Sequence, residues 1–496
     1  MWLLLLLVAP CLSLHSREPP PPAPLSRQTP VERWLTVRLN QFMAYDTRTF
    51  PMRFYYNDEF AGHNIVIFVG GEWEISPGWT TGGLAYEMAQ QLKAGIFYTE
   101  HRYYGQTRPF ENTETENLAL LTIDQGLADL AQFIEYVKSD EFEDGRYKSG
   151  KVVLVGCSYA GTMATWMRLA YPHVVDAAFS DSGPLHAQED FPEYLEVIDT
   201  AIREQGGEAC LSSIEEGIRQ LVDLLATEAG PAQVSEMFNI CSTIQAGTPL
   251  DVATFFWFGI TENFAGLVQY ATPGDIPEAC TVLTNANVAS PVQRLANWIT
   301  AQPWSQPCIE SRYTEVLANH RNTSFDAYDA VMRLWTYQTC VEFGWYQTTT
   351  SSNQPFNTTV PLEYFHQMCK DFFSVDFDEE RLRHGIQRTN IMFGGLTHMP
   401  DHVISVAGGH DPWSPMGPNA THGHEKSPVY VVPGVSHCRA IQPTGNSSDT
   451  EELEATKQAV LNFMYEIVVG PLPPVAGATS VVASVVLLVA ALMLLV

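Results

Sequence analysis

Basic residues are scarce in this chain. Its 496 residues include 27 lysines and arginines against 56 aspartates and glutamates, which gives a formal net charge of −29 at pH 7. An acidic surface of this kind disfavours binding to nucleic acid or to an anionic membrane surface. The composition is otherwise that of a globular protein, since 45% of the residues are hydrophobic and 17% are charged.

Internal repeats are absent, and so are paired cysteine motifs. None of the eight cysteines beyond residue 16 stands in a C-x-x-C pair, which disfavours a zinc site. We therefore expect neither a metal nor an organic cofactor. An even number of cysteines after a secretory signal is typical of disulfide bonds.

Both ends of the chain are apolar. Residues 1–16 have the apolar core and the small residues of a secretory signal peptide, although the usual basic start is missing. Residues 17–30 are rich in proline and predict an extended, disordered leader. Residues 471–496 end in an uncharged apolar run, which favours a glycolipid (GPI) anchor signal, with a bare membrane-anchoring helix as the alternative.

These end segments predict passage through the secretory pathway. We expect the protein outside the cell or on its surface, with the lysosomal or endosomal lumen as the alternative. Attachment to the membrane is expected through the C-terminal tail. Glycosylation sequons suit such a surface. The four sequons begin at Asn322, Asn357, Asn419 and Asn446.

Alternating strands and helices are predicted in two separate parts of the chain. The predicted strands are 52–56, 64–69, 96–99, 152–155, 174–179, 402–407 and 429–432. Helical spacing over 123–137 and 453–467 completes an alternation that is typical of a parallel sheet covered on both faces. The residues between the two parts lack strand patterns. We therefore predict a sheet domain in two parts, 31–184 and 376–470, with a mostly helical cap, 185–375, inserted between them.

The strand at 152–155 leads into a G-x-S-x-G motif centred on Ser158. A strand, a sharp turn and a following helix form the context of a nucleophile elbow, which lifts one serine hydroxyl above the sheet. Gly156 and Gly161 leave no side chain to block the turn or the helix. The motif predicts a catalytic Ser158, and an ordinary strand–helix turn is the alternative.

A serine nucleophile needs a histidine to accept its proton and a carboxylate to orient that histidine. Asp411 and His437 each follow a predicted strand, and the order Ser, Asp, His is the one that sheet hydrolases use. Asp181, which also ends a strand, is the second candidate for the acid. The other histidines near this region are His410, His422 and His424.

The tetrahedral intermediate needs two preorganised N–H donors. The backbone amide of Tyr159, just after the predicted nucleophile, is expected to supply one. The loop Gly70-Gly71-Glu72, which follows an early strand, is expected to supply the other, and a plain Gly-Gly turn is the alternative.

Several short motifs accompany this constellation. They are Phe54-Tyr55-Tyr56-Asn57-Asp58, Gly70-Gly71-Glu72, Glu100-His101-Arg102-Tyr103-Tyr104-Gly105, Leu121-Thr122 with Gln125, Leu127, Ala128 and Asp129, the elbow Gly156 to Gly161, Asp411-Pro412-Trp413 and Ser436-His437-Cys438. Together they resemble the serine peptidase family that includes lysosomal Pro-Xaa carboxypeptidase, dipeptidyl peptidase 2 and thymus-specific serine protease. The resemblance covers about Leu39 to Ile467, and Gly-Gly-Glu and Ser-His-Cys are most similar to the thymus-specific branch.

The resemblance implies an α/β-hydrolase fold with an inserted, disulfide-bearing helical cap. It also implies a Ser158, Asp411 and His437 triad that cleaves short or proline-containing peptides after proline near a chain end, as a carboxypeptidase or a dipeptidyl peptidase. On this basis Trp413 is expected to line the proline pocket, and Glu72 to bind the substrate terminus or brace the oxyanion loop. Glu100 and Arg102 are expected to form a structural ion pair.

The chain departs from the family pattern at two places. Asn40-Gln41 stands where Asp-His is frequent, and Cys157 precedes the nucleophile where glycine is usual. Because Cys438 neighbours His437, we hypothesise that Cys157 and Cys438 form a disulfide that ties the two loops together. For the cap, the resemblance suggests the pairs Cys210–Cys280, Cys241–Cys308 and Cys340–Cys369.

Two other functions remain compatible with the same residues. A serine esterase or lipase uses the same scaffold, since fold alone does not determine substrate. A non-catalytic surface binding protein is the third hypothesis, although a binding module has no reason to keep all three triad positions.

Overall fold

A central sheet forms from the apolar runs of the sequence. The computed structural model describes residues 18–60, 62–302, 308–327 and 329–472. Its strands are β1 (Val31–Arg38), β2 (Thr49–Asn57), β3 (Asn64–Val69), β4 (Ala94–Thr99), β5 (Val152–Cys157), β6 (Ala177–Asp181), β7 (Gln188–Asp190), β8 (Gly344–Tyr346), β9 (Val403–Gly408) and β10 (Val429–Val432). Eight of them form one sheet in the order β1-β2-β4-β3-β5-β6-β9-β10, and β7 pairs with β8 separately.

Antiparallel pairing is confined to one edge of the large sheet, and its buried centre is parallel. The pairs β1–β2 and β2–β4 are antiparallel, and all other neighbours in the large sheet are parallel. Strands β4, β5, β6 and β9 are buried at every residue, because helices cover both faces of a parallel sheet and both sets of side chains must be apolar.

Helices cover the sheet and build the cap. They are α1 (Leu84–Leu92), α2 (Ile123–Val137), α3 (Tyr159–Ala170), α4 (Glu193–Gly206), α5 (Glu208–Leu225), α6 (Gly230–Met237), α7 (Pro249–Thr254), α8 (Glu262–Gln269), α9 (Asp275–Leu283), α10 (Pro291–Thr300), α11 (Tyr313–His320), α12 (Ala330–Gln338), α13 (Leu362–Phe372), α14 (Glu379–Phe393) and α15 (Glu451–Val468). Helices α4 to α13 lie between β6 and β9 along the chain and form the cap. The strand order and the elbow between β5 and α3 are those of the α/β-hydrolase fold.

Three disulfides lie in the cap, and one joins two loops of the sheet domain. The bonds are Cys210–Cys280, Cys241–Cys308, Cys340–Cys369 and Cys157–Cys438. The first joins α5 to α9, so it holds together two cap helices that are 70 residues apart in sequence.

Most predicted strands lie within a residue or two of their observed positions, but two do not. β2 begins at Thr49, three residues before the predicted strand 52–56. We expected a strand over 174–179, whereas β6 begins at Ala177. Val174 and Val175 both donate backbone hydrogen bonds to the carbonyl of Tyr171, so they close the turn after α3 before the strand starts. A β-branched pair is thus used in a turn, against its usual preference for strands.

The proline-rich leader also differs from expectation. Residues 18–30 pack on the sheet domain instead of extending away from it. The backbone amides of Leu25 and Ser26 both donate to the carbonyl of Thr81, at 2.7 and 3.0 Å, and the indole of Trp79 donates to the carbonyl of Pro19 at 3.0 Å. The sheet domain thus supplies a donor to the carbonyl of Pro19, since proline-rich backbone has few amides of its own, and an acceptor to the two leader amides.

The two end segments fall largely outside the described part of the chain. The predicted signal peptide 1–16 and residues 473–496 of the predicted tail are not among the described residues. Within the residues that are described, no helix is both long enough and apolar enough to cross a membrane.

Candidate active site

Ser158 occupies a strained turn between β5 and α3. Its backbone has φ 56° and ψ −132°, which an L-residue rarely adopts. A Cβ added at Gly156 would lie 2.1 Å from the carbonyl oxygen of Ala160, and one at Gly161 would lie 2.9 Å from Ser180 Oγ. Both glycines are therefore required for the chain to reverse this sharply. The strain is maintained by a hydrogen bond from the Ser158 amide to the carbonyl of Asp181, at 2.9 Å.

His437 and Asp411 form a buried pair beyond the ends of β9 and β10. Nδ1 of His437 lies 2.8 Å from Oδ1 of Asp411, and both side chains are almost fully buried. The same carboxylate oxygen accepts the backbone N–H of Trp413 at 2.9 Å, which fixes its orientation. Nε2 of His437 has no hydrogen-bond partner within the described residues, and His437 and Ser158 line the same cavity. The imidazole thus has one nitrogen held by Asp411 and one without a partner, and no hydrogen bond joins it to Ser158 within the described residues.

Asp181, the second candidate for the acid, has a different task. Its Oδ2 accepts the backbone N–H of Ile441 at 2.9 Å, so it anchors the loop that follows His437. Burial raises the pKa of Asp181 to about 7, and the nearby Asp411 carboxylate adds to that rise, while His437 opposes it. The carboxylate that accepts the hydrogen bond of His437 Nδ1 is Asp411 and not Asp181.

The three other histidines near this region contact other groups. His410 interacts with the cap through Glu204 at 2.8 Å and Gln205 at 2.7 Å. His422 accepts the backbone N–H of Asn419, and His424 lies 3.2 Å from the carbonyl of Met399. None of these three lines the cavity that contains Ser158.

The loop Gly70-Gly71-Glu72 follows β3, and its three residues differ in their hydrogen bonds and in their contact with the cavity. The amide of Gly70 already donates to the carbonyl of Thr99 at 2.9 Å, so it is not a free donor. A Cβ at Gly71 would lie 2.6 Å from the ring of Trp73, so only glycine fits beneath that indole. Glu72 lines the cavity together with Tyr159, whose backbone amide is the first of α3 and has no carbonyl of its own helix to bind.

Glu72 is a buried carboxyl without a cationic partner. Burial raises its pKa to about 8, and its Oε2 has no hydrogen-bond partner within the described residues. At neutral pH the group is mostly a neutral carboxylic acid, because ionisation inside the protein would cost the hydration of the charge. Such a group can donate a hydrogen bond into the cavity.

Aromatic rings line part of the cavity, whose volume is about 560 Å³. Trp413 packs edge-to-face on Trp345, with ring centroids 5.6 Å apart, and Trp335 lies 6.2 Å from Trp345. Trp335 also contacts the ring of Tyr159 edge-to-face at 5.5 Å. We refer to Trp335, Trp345 and Trp413 as the tryptophan wall. Flat apolar rings of this kind suit a flat apolar ligand group such as a proline ring.

Two contacts fix the positions of the loops that contain Ser158 and His437. The Cys157–Cys438 disulfide joins the residue before Ser158 to the residue after His437, with Cα atoms 5.6 Å apart. Gln269, at the end of cap helix α8, accepts the backbone N–H of His437 at 3.1 Å and the indole N–H of Trp413 at 3.2 Å. The cap therefore helps to position the loops of the sheet domain.

Glu100 and Arg102, which follow β4, do form buried ion pairs. We expected them to pair with each other, but each has a different partner. Glu100 accepts from Arg53 at 2.6 Å, and Arg102 donates to both carboxylate oxygens of Asp129 at 2.6 Å. Between them, His101 lies 3.2 Å from the hydroxyl of Tyr159, and burial lowers its pKa to about 4, so that it is neutral. This segment thus contacts the elbow through His101.

Sequence patterns did not identify several of the residues that line the cavity. Trp335, Trp345 and Gln269 belong to the cap, where helical periodicity alone does not tell which apolar or amide residues face the sheet domain. Leader residues Glu18 to Pro21 also line the cavity, and proline-rich composition gave no indication of that contact. The predicted sequon residue Asn446 lies at the cavity too, whereas Asn322, Asn357 and Asn419 are exposed.

Comparison with known proteins identifies relatives over most of the chain. It is 28% identical to the putative serine protease F56F10.1 of Caenorhabditis elegans, over 82% of this chain and 79% of the relative. It is 28% identical to the thymus-specific serine protease of Mus musculus, over 87% of this chain and 86% of that protein. The lysosomal Pro-X carboxypeptidase of Mus musculus is 25% identical over 81% of this chain and 82% of its own length.

The model of one protein family matches most of the chain as well. The match to serine carboxypeptidase S28 covers residues 37–460, which include both parts of the sheet domain and the whole cap. The family resemblance inferred from the short motifs is thereby confirmed. The chain belongs to the serine carboxypeptidase S28 family and is a serine-type peptidase.

Proposed function

We propose that the protein is a serine exopeptidase that cleaves peptides after proline through an acyl-enzyme formed on Ser158. The observation that supports this most directly is the buried 2.8 Å contact between His437 Nδ1 and Asp411, with Nε2 left available in the cavity that Ser158 lines. A histidine oriented in this way can accept a proton through Nε2 while the carboxylate stabilises the resulting cation.

In the proposed first step, Ser158 Oγ attacks the carbonyl carbon of the scissile bond, and its proton passes to His437 Nε2. The negative charge that develops on the carbonyl oxygen is stabilised by the Tyr159 N–H and by an N–H of Gly71 or Glu72, since the Gly70 amide is already bonded. His437 then protonates the leaving amine as the C–N bond breaks. In the second step, His437 takes a proton from water as the water oxygen attacks the acyl carbon. His437 then returns that proton to Ser158 Oγ as the ester bond breaks, and the acid product leaves.

The tryptophan wall supports the preference for proline. The rings of Trp345 and Trp413 are buried against one another, so their positions are set before a substrate binds. A proline ring that packs on them loses little conformational entropy, because it is rigid in the free peptide as well. The name of the lysosomal Pro-X carboxypeptidase relative agrees with this substrate class.

Glu72 is proposed to bind the free end of the substrate. As a neutral acid it can donate to a terminal carboxylate, and as an ionised group it can accept from a terminal ammonium. Substitution Glu72→Ala should therefore raise KM for peptides with a free end more than for peptides blocked at that end. Testing N-blocked and C-blocked proline peptides in parallel will distinguish a carboxypeptidase from a dipeptidyl peptidase.

The central test is labelling with a fluorophosphonate probe, which reacts with activated serines. We expect labelling of the wild type and none of Ser158→Ala, while Ser180→Ala, on the adjacent strand, serves as a matched control that retains labelling. A proline-peptide panel and a short acyl ester then compare peptidase with esterase activity. A folded wild-type protein that does not react with the probe would contradict the proposal.

We also propose a secretory or lysosomal location. Four disulfides are characteristic of an oxidising compartment, and a relative is named as lysosomal. Attachment through the C-terminal tail stays a prediction. Release of cell-surface activity by a phosphatidylinositol-specific phospholipase would support a glycolipid anchor, and retention after the same treatment would contradict it.

A further inference from the structure

The leader residues Glu18 to Pro21 lie against the cavity that contains Ser158, although they precede the part of the chain that the family model matches. Glu18, Pro19, Pro20 and Pro21 all line that cavity. This arrangement assigns a role to a segment that composition alone would describe as an unstructured linker.

Hydrogen bonds hold the leader at several points. Ser76 donates both its backbone N–H and its hydroxyl to Oε1 of Glu18, each at 3.0 Å. Trp79 donates to the carbonyl of Pro19 at 3.0 Å, and Gln442 donates to the carbonyl of Pro20 at 3.2 Å. The donors come from the loop after β3 and from the loop after His437, so the leader bridges the two loops that surround the reacting atoms.

Two glycines of the sheet domain leave room for the leader. A Cβ at Gly78 would lie 2.3 Å from Cβ of Pro21, and a Cβ at Gly82 would lie 2.9 Å from the carbonyl oxygen of Ala23. Neither glycine has a positive φ, so alanine would suit the backbone at both positions and only the leader excludes it. The seat for the leader is thus built into the folded domain.

We propose that the leader is a fixed wall of the substrate cleft that limits substrate length. The tryptophan wall, formed by Trp335 and Trp345 of the cap and Trp413 of the sheet domain, lines one part of the cavity, and the leader lines another. The volume that remains, about 560 Å³, suits a short peptide or a peptide end. A longer polypeptide would have to continue through the space that Pro19 to Pro21 occupy. This proposal rests on the proposed reaction at Ser158, and it makes the leader a determinant of the preference for chain ends.

The test compares two peptides that share one scissile bond after proline, a short one and one that is lengthened at both ends. The double variant Gly78→Ala/Gly82→Ala should displace the leader without touching the leader sequence or the reacting residues. We expect its ratio of kcat/KM for the long peptide to that for the short peptide to rise about tenfold over wild type. The control is Gly247→Ala, since a Cβ there meets no atom within 4 Å.

A second variant, deletion of residues 19–24, removes the wall directly and keeps the proposal testable if alanine at the two glycines is tolerated without displacement. An unchanged length ratio in the deletion variant overturns the proposal. Equal gains for short and long peptides would also overturn it, because the leader would then be a plug and not a wall. The rate of fluorophosphonate labelling is measured in every variant. Absence of labelling in the wild type would refute the proposed function itself, which separates that failure from a failure of the leader proposal.

Discussion

The buried carboxyl of Glu72 should make the stability of this protein depend on pH, and Glu72→Gln should remove that dependence in part. Burial raises the pKa of Glu72 from 4.5 to about 8. In the unfolded chain the group loses its proton near its ordinary pKa. Between pH 4.5 and about 8, unfolding therefore releases a proton that the folded protein keeps.

The sign and size of the effect follow from that difference. The contribution of the neutral carboxyl is fully present below pH 4.5, and it is lost as the pH rises through about 8. Each pH unit in this window costs about 1.4 kcal/mol of unfolding free energy, so the total loss is on the order of 5 kcal/mol, of which about 4 kcal/mol falls between pH 5 and pH 8. For a chain of this length the entropy of unfolding is roughly 1 kcal/mol/K, so the expected change in Tm is about 4 °C.

The measurement is the Tm of wild type and Glu72→Gln at pH 5 and at pH 8. The amide has the shape of the neutral acid but no proton to lose, so the variant should lose about 4 °C less than wild type over this interval. Glu141→Gln is the matched control, because it is the same chemical substitution at an exposed glutamate. If Glu72→Gln and wild type lose the same number of degrees, Glu72 ionises normally in the folded protein and the reasoning is refuted.

Three other substitutions test the roles of neighbouring groups. Asp411→Asn should lower kcat by about 10³- to 10⁴-fold, because that carboxylate bonds to His437, and Asp181→Asn should cost much less; equal losses in a proline-peptide assay would contradict the assignment. The double variant Cys157→Ser/Cys438→Ser should show a lower Tm and slower fluorophosphonate labelling, because the bond joins the elbow to the His437 loop, and an unchanged labelling rate would show that the bond does not position them. Trp345→Ala should lower kcat/KM for a proline peptide about tenfold more than for its alanine analogue, as loss of one aromatic contact of 1–1.5 kcal/mol predicts, whereas equal losses would exclude selective contact with proline.

The sheet domain was predictable because its sequence patterns are local. The strand 64–69 and the helix 123–137 have the bounds of β3 and α2, since continuous apolar runs and a 3.6-residue period depend little on distant contacts. Strand β1 was not predicted as a strand. Its residues alternate between exposed and partly buried at the edge of the sheet, so its sequence lacks the strong apolar pattern of the central strands.

The elbow motif and the order of Ser158, Asp411 and His437 identified the candidate site from sequence, since the loops after parallel strands meet at one edge of the sheet. Sequence could not choose between Asp411 and Asp181 with the same force, because both follow strands. Only the geometry assigns the hydrogen bond of His437 to Asp411 and the anchoring of the next loop to Asp181.

The leader and the cap residues were missed for a different physical reason. Both depend on partners that are far away in the chain. Pro19 is held through its carbonyl oxygen by Trp79, and Trp345 is held by ring packing on Trp413. Backbone carbonyls are present at every residue and aromatic side chains are common in cores, so neither feature marks a residue as part of a site.

Gln269 joins the cap to both the His437 loop and the tryptophan wall. Its carbonyl accepts the backbone N–H of His437, and its side-chain oxygen accepts from Trp413 and, at 2.6 Å, from Tyr194 of cap helix α4. One cap residue therefore contacts the chain of the predicted base and a ring of the tryptophan wall together. If the cap moved away from the sheet domain, the His437 loop would lose a hydrogen bond at the same time as the proline pocket lost a ring contact. We therefore predict that Gln269 lets the inserted domain influence both the proposed base and the proposed proline pocket, because its backbone carbonyl holds the His437 loop and its side chain holds Trp413.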